Sequence, residues 1–244
     1  MSKPAKIRLF VSKDLGKGQV ISLDQAQSHY LLSVMRRQEG DVLRVFNGRD
    51  GEWLAEISRA HRKETILRCR DQLRAQMAAP DIWLLFAPIK RTRMEYLLEK
   101  ATEIGVSRFV PVCSEFTDTP RLRKDRLEAI IREAVEQSEG LSVPQLDDVK
   151  ELMKELTAWP NGRRLYFADE AGGQLPAAAF GGAASGKAAI LIGPEGGFSH
   201  SERKHVTQLE DSVPLSLGPR ILRAETAATA ALALWHSYCG WGRA

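Results

Sequence analysis

Cysteine is scarce in this chain of 244 residues: Cys69, Cys113 and Cys239 are odd in number, far apart and in no metal-ligand spacing. That excludes a disulfide framework and a cysteine-built zinc site, and leaves scattered reduced thiols. The five histidines, at 29, 61, 200, 205 and 236, form no HExxH pattern, so no metal is expected. Long apolar runs are missing as well. The longest strongly apolar stretch, near 82–89, falls far short of the roughly 20 residues that a membrane span needs. No apolar segment of signal-peptide length follows the basic start Met1-Ser2-Lys3-Pro4-Ala5-Lys6. The expectation is a cytoplasmic protein with no membrane partner.

What is present is a hydrophobic content of 43%, enough for a sizeable core in one large domain or two modest ones. The net charge of +4 is unevenly spread: residues 1–76 hold 15 Lys and Arg against 9 Asp and Glu, whereas the remainder holds 20 against 22. A basic module suits a polyanion, and RNA fits better than a membrane because no basic amphipathic helix is evident. An ordinary solubilising surface explains the charge equally well.

Residues 7–75 read as five short strands (7–11, 19–23, 41–46, 52–58 and 65–70) and one helix (24–37), which predicts a small β-barrel. Asn47-Gly48-Arg49-Asp50-Gly51 has the composition of a hairpin turn. A polar linker over 72–80 separates this part, residues 1–75, from a second domain at 80–244. There the pattern changes to alternating strands and helices, beginning with an apolar strand at 82–86, and implies a parallel α/β sheet. Helices are expected around Met94–Ile104, stopped by Gly105, at 124–138, at 148–158, after the capping box Ser199-x-x-Glu202, and at 224–235.

Two glycine-bearing strand ends carry the chemistry. Ile190-Leu191-Ile192-Gly193-Pro194-Glu195-Gly196-Gly197-Phe198 and Leu215-Ser216-Leu217-Gly218-Pro219-Arg220-Ile221-Leu222-Arg223-Ala224-Glu225-Thr226 each run from an apolar strand through a loop into a helix. Ligands of open α/β sheets bind at such places. Gly181–Ala188 imitates a Walker A loop, but Ala188 stands where magnesium needs a hydroxyl and the stretch precedes a strand instead of following one. Glu225 and Thr226 fall in the first turn of the last helix, where they also serve the helix dipole and its caps. Leu232, Leu234, Trp235 and Trp241 give that helix an apolar surface that predicts a homodimer.

The two loops together resemble the signature of the 16S ribosomal RNA (uracil-N3) methyltransferase family, in the SPOUT superfamily. Matches at Lys100–Val106, at Glu133-Ala134-x-Glu136-Gln137-Ser138 with Val143-Pro144, and at His29-Tyr30 with Met35-Arg36 extend the resemblance over both domains. Many members carry arginines before the Val-Pro pair; this chain has Glu139-Gly140-Leu141-Ser142, and no site residue is expected there.

The resemblance implies an N-terminal PUA-like barrel for RNA and a SPOUT domain with a C-terminal trefoil knot. The implied cofactor is S-adenosyl-L-methionine, held by Phe167, Ala168, Ile192, Gly193, Pro194, Glu195, Gly196, Leu215, Leu217, Gly218, Ile221, Leu222 and Thr226. Uracil N3 must lose a proton or be stabilised as an anion before it can take a methyl group. Arg220 or Arg223 would stabilise the charge, and Glu225 or Glu195 would accept the proton or orient the arginine. A purely structural role for both acids remains open. Arg8, Arg36, Arg44, Lys90, Arg91 and Arg93 are candidate phosphate contacts. The implied partners are the small ribosomal subunit and a second copy of the chain. The alternatives are another SPOUT-class enzyme, acting on a ribose 2′-hydroxyl or a transfer RNA, and a non-catalytic RNA-binding dimer.

Overall fold

The computed structural model describes residues 7–118, 122–181 and 186–240, which divide into two compact units. The first runs to Ala78 and also takes in Val135–Val143; the second holds Ala79–Ala134 and the chain from Pro144 onward. The division after Ala78 falls inside the predicted linker. The transfer of Val135–Val143 to the first unit departs from the single 80–244 domain read from the sequence. Its cause is specific: this segment supplies carbonyls and a carboxylate to the arginines of the first sheet.

The first unit is built on β1 (Arg8–Phe10), β2 (Val20–Ser22), β3 (Val42–Phe46), β4 (Glu52–Arg59) and β5 (Ile66–Arg74), in the order β1-β3-β4-β5-β2. All pairs are antiparallel except β1 with β3. Register shifts between β4 and β5 strengthen the local twist. Leu9, Ile21, Leu43, Val45, Ile57 and Leu67 fill the core from one face, as the two-residue period of strands requires. The predicted hairpin is present: Asn47 Oδ1 accepts from the Arg49 and Asp50 N–H groups at 3.0 and 2.9 Å. Gly51 closes it at φ 78°, where a Cβ would lie 2.2 Å from the Arg74 carbonyl. The predicted 24–37 helix is cut short. Helix α1 (Gln25–His29), capped by Asp24, passes into a π-helical turn, Tyr30–Val34, and Arg36 then takes φ 52°, which ends any helix.

The second unit is a parallel sheet of β6 (Ile82–Phe86), β7 (Arg108–Cys113), β8 (Gln145–Leu146), β9 (Lys150–Glu151), β10 (Arg164–Ala168), β11 (Ala188–Ile192) and β12 (Ser212–Leu215). The order is β12-β10-β11-β6-β7-β8, with β9 also on β7. Strands buried on both faces need apolar residues throughout, and all five positions of β11 are buried. On one face Leu85, Leu165, Phe167 and Leu191 pack with Leu152 and Leu156 of α4 (Leu152–Thr157) and Val206 of α6 (His200–Gln208). On the other, α7 (Ala224–Cys239) packs against α2 (Arg91–Ile104), α5 (Pro176–Phe180) and β11. Gly105 ends α2 at φ 106°, as predicted. Helix α3 (Lys124–Gln137) matches its expected span closely, whereas the 148–158 helix is reduced to α4 because Lys150 and Glu151 pair with β7.

Of the α7 residues that predicted a dimer, Leu232 and Trp235 are buried within their own unit, at 0% and 2% exposure, Leu234 is half-buried, and Trp241 lies outside the described residues.

Candidate functional site

Four strands end side by side, and the loops leaving β10, β11 and β12 enclose a cavity of about 380 Å³, a volume in the range of small-molecule sites. The β11 loop makes a tight turn in which the Gly197 N–H donates to the Pro194 carbonyl at 3.0 Å. Here close packing at Gly193 and a positive φ at Gly197 favour glycine. A Cβ on Gly193 would approach the Phe198 ring to 3.0 Å, and one on Gly197, at φ 70°, would lie 2.7 Å from a Glu170 carboxylate oxygen. Phe198 itself is buried in the core, and the capping box fixes the far end of the loop: Ser199 and Glu202 exchange hydrogen bonds at 2.9 and 3.3 Å.

The β12 loop differs in detail from the sequence reading. The strand stops at Leu215, not at Gly218, and Gly218 turns in the loop at φ 110°, a conformation that side chains rarely adopt. The β10 loop docks against it: the Asp169 N–H donates to the Leu215 carbonyl at 3.2 Å and the Gln174 N–H to the Pro214 carbonyl at 2.8 Å. Three loops therefore form one wall system.

The cavity is apolar along one side and charged along its rim. Ala168, Ile192, Leu215, Leu217, Ile221 and Leu222 supply the apolar lining. Ile221 is 87% exposed, an unusual place for an isoleucine unless something covers it. Among the rim charges, Arg203 pairs with Asp169 at 2.7 Å, and Arg93 pairs with Glu195 and reaches Glu225 Oε1 at 3.9 Å. Among the described residues Arg220 and Arg223 have no ion-pair partner, and both line the cavity. Arg223 is also the N-cap of α7 without a side-chain cap bond, so the first-turn N–H groups add to the positive corner.

Of the residues assigned to the cofactor, Ala168, Ile192, Gly193, Pro194, Glu195, Leu215, Leu217, Gly218, Ile221 and Leu222 line the cavity. Three of the assigned residues do not line it. The Phe167 side chain is fully buried in the core beneath the cavity, because alternate residues of β10 face opposite sides. Gly196 lines a neighbouring cavity instead. Thr226 is exposed on α7 and outside the lining. Of the acid–base candidates, Arg220, Arg223 and Glu195 reach the cavity, whereas Glu225 lies behind Arg93, 8% exposed.

The phosphate contacts also divide. Arg8 is 7% exposed, donates to Glu52 Oε1 and the Val135 carbonyl at 2.6 Å each, and lies 3.6 Å over the Phe46 ring. It is a core residue of the first unit and not a phosphate contact. Arg44 is tied to Glu139 at 2.7 Å and to Glu52 at 3.7 Å. Burial pushes the Glu52 carboxyl up, but hydrogen bonds from Arg74 and Arg8 outweigh it and hold it below the usual carboxylate range. Arg36 is exposed, Arg91 is held by Glu95 at 2.8 Å, and Lys90 is exposed beside the second cavity. Arg93 belongs to the cofactor-type cavity instead of a phosphate track.

Sequence reading missed Asp169, Glu170 and Arg203. The acids had a signal, following an apolar strand at its carboxyl end; Arg203, three residues inside a helix, had none.

An RNA methyltransferase domain matches residues 77–236, and an RNA methyltransferase PUA domain matches residues 23–68. The chain belongs to this RNA methyltransferase family. Among the family's curated members, a ribosomal RNA small subunit methyltransferase E from Rickettsia conorii is 30% identical over 237 residues, covering 95% of this chain and 97% of its own. Among solved structures, a Legionella pneumophila protein in complex with bound S-adenosylmethionine superposes with a TM-score of 0.84 at 28% identity, over 95% of this chain and 97% of that one. A ribosomal RNA small subunit methyltransferase E from Neisseria gonorrhoeae, also bound to S-adenosylmethionine, gives 0.84 at 25% identity, over 96% and 98%. The parallel sheet and PUA-type unit are thus the family's two parts. The similarity extends through the loops that enclose the cavity.

Proposed function

We propose that the protein methylates N3 of a uracil in 16S ribosomal RNA at the expense of S-adenosylmethionine. The observation that carries this reading is the cavity formed by the β10, β11 and β12 loops in a member of this family. Its residues fit the cofactor: glycines at 193 and 197 keep the wall free of side chains, the small apolar wall suits adenine, and Asp169 and Glu170 offer acceptors to hydroxyl or ammonium groups. When bound, S-adenosylmethionine supplies an electrophilic methyl group on its sulfonium.

The protein's own part is charge control. Arg220, Arg223 and the open N-terminus of α7 make a positive corner that stabilises negative charge developing on a uracil as N3 loses its proton. Glu195, at the cavity wall, is the proton acceptor in this reading. Glu225 positions Arg93, which in turn steadies Glu195. The basic first unit, with Arg36 exposed, would hold the RNA by its phosphates. A trefoil knot and a homodimer are what the resemblance implies, and a cytoplasmic location is the expectation from the sequence; no described helix is long and apolar enough to cross a membrane.

Nucleoside mass spectrometry tests the reading. Small-subunit RNA from a strain lacking this protein should contain no 3-methyluridine, and its presence at the normal level would contradict the proposal. Loss of a ribose-methylated nucleoside instead would favour another reaction of the same superfamily.

A further inference from the structure

A second cavity, about 510 Å³, adjoins the first, and Pro194 and Glu195 line both. Its floor comes from the loop after β6, its far side from Phe116, and Lys90 and Asp118 stand at its edge. Phe116 is 50% exposed, although phenylalanine ordinarily buries its ring. Its exposure is imposed by a fastened loop. The Glu115 N–H donates to Glu202 Oε1 at 2.8 Å, and the Ser114 N–H donates to Thr117 Oγ1 at 3.0 Å. On the other side Gly196 lies so close that a Cβ there would come within 3.2 Å of Phe116 Cβ. The stretch of backbone that carries the ring is therefore held at the cavity from two directions.

We infer that this second cavity receives the base of the target nucleotide, turned out of its RNA stack, with Phe116 as the stacking platform. The inference rests on the methyltransferase reading, because a methyl acceptor must reach the edge of the donor cavity, and the wall common to the two is Pro194-Glu195. A displaced base needs a π-face to replace the stacking it gives up, and single-stranded bases are commonly held on exposed aromatic rings. Lys90, exposed and without an ion-pair partner among the described residues, supplies a cation for the neighbouring phosphate. Glu195 would then face the base across the shared wall, at the position its proposed proton transfer requires.

The test compares Phe116→Ala and Phe116→Tyr with wild type in cofactor binding by calorimetry and in single-turnover methyl transfer to small-subunit RNA. Phe116→Ala should bind S-adenosylmethionine normally and lose roughly 10- to 100-fold in kcat/KM for RNA, while Phe116→Tyr stays within about threefold of wild type. Wild-type RNA kinetics in Phe116→Ala would overturn the inference, as would equal losses in both variants. If wild type itself methylates no RNA, the functional reading fails separately. Phe116→Trp then decides the inference: its emission should be quenched by bound RNA, and unchanged emission under conditions where RNA binds would contradict it.

Discussion

Arg220 and Arg223 are the two rim cations that no carboxylate neutralises among the described residues, and their role turns on that freedom. A cation already paired, such as Arg203 with Asp169 at 2.7 Å, has spent much of its field on its partner. Replacing Arg223 by Ala should lower single-turnover methyl transfer by roughly 10²- to 10³-fold and leave cofactor affinity within a few-fold of wild type. A large loss of cofactor affinity with an unchanged rate would make Arg223 a cofactor anchor instead. The type and position of both arginines were legible in the sequence because they lie within the loop motif. The fate of others was not. Arg8 and Arg36 are equally basic on paper, yet one is sealed against Glu52 and Phe46 and the other is exposed. Only the burial of Glu52, a partner 44 residues away from Arg8, distinguishes them. Arg93 likewise reads as a sheet-edge cation until α2 brings it to Glu195.

At the scale of elements, patterns with a short range were the readable ones. The Ser199–Glu202 capping box, the Gly105 stop and the Asn47 hairpin each depend on neighbours within a few residues, and each forms as its chemistry dictates. The loss of the first part of the 148–158 helix depends on a distant partner, the pairing of β9 with β7, and the 24–37 helix passes into a π-helical turn that ends before Arg36, at φ 52°. Helix α7 holds a further consequence. His236 is 7% exposed against α2, and burial lowers its pKa from 6.5 to about 4, although a backbone hydrogen bond with Gly105 opposes the shift. The unfolded chain takes up this proton below pH 6.5, and the folded chain does so only near pH 4. Stability from this group is therefore fully present above pH 6.5 and declines as the pH falls toward 4, by roughly 3 kcal/mol. Denaturant unfolding at pH 7.5 and pH 4 should reveal that loss, and a His236→Gln variant should have a correspondingly flatter dependence. An unchanged dependence would mean that His236 has nearly the same pKa in the folded and unfolded chain.

At the scale of the whole molecule, the change from strands to alternating strands and helices located both parts of the chain, and the excess of basic residues before residue 76 marked the first of them. What the sequence concealed was the return of Val135–Val143 to the first unit. Two of its contacts explain part of it: the Glu139 carboxylate holds Arg44 at 2.7 Å, and the Gly140 carbonyl accepts from Arg8. The Walker-like stretch lies partly outside the described residues, at 182–185, and its Lys187 leads directly into β11, so the stretch precedes a strand as the sequence indicates. The central claim is that the two glycine-bearing loops serve methyl transfer to one base of small-subunit RNA. Transfer of labelled methyl from S-adenosylmethionine by the purified protein, to 30S particles and to free 16S RNA, followed by mapping of the label, tests it most directly. The account predicts label at a single uridine of 16S RNA, recovered as 3-methyluridine; label on a ribose, in transfer RNA, or in no RNA at all would contradict it.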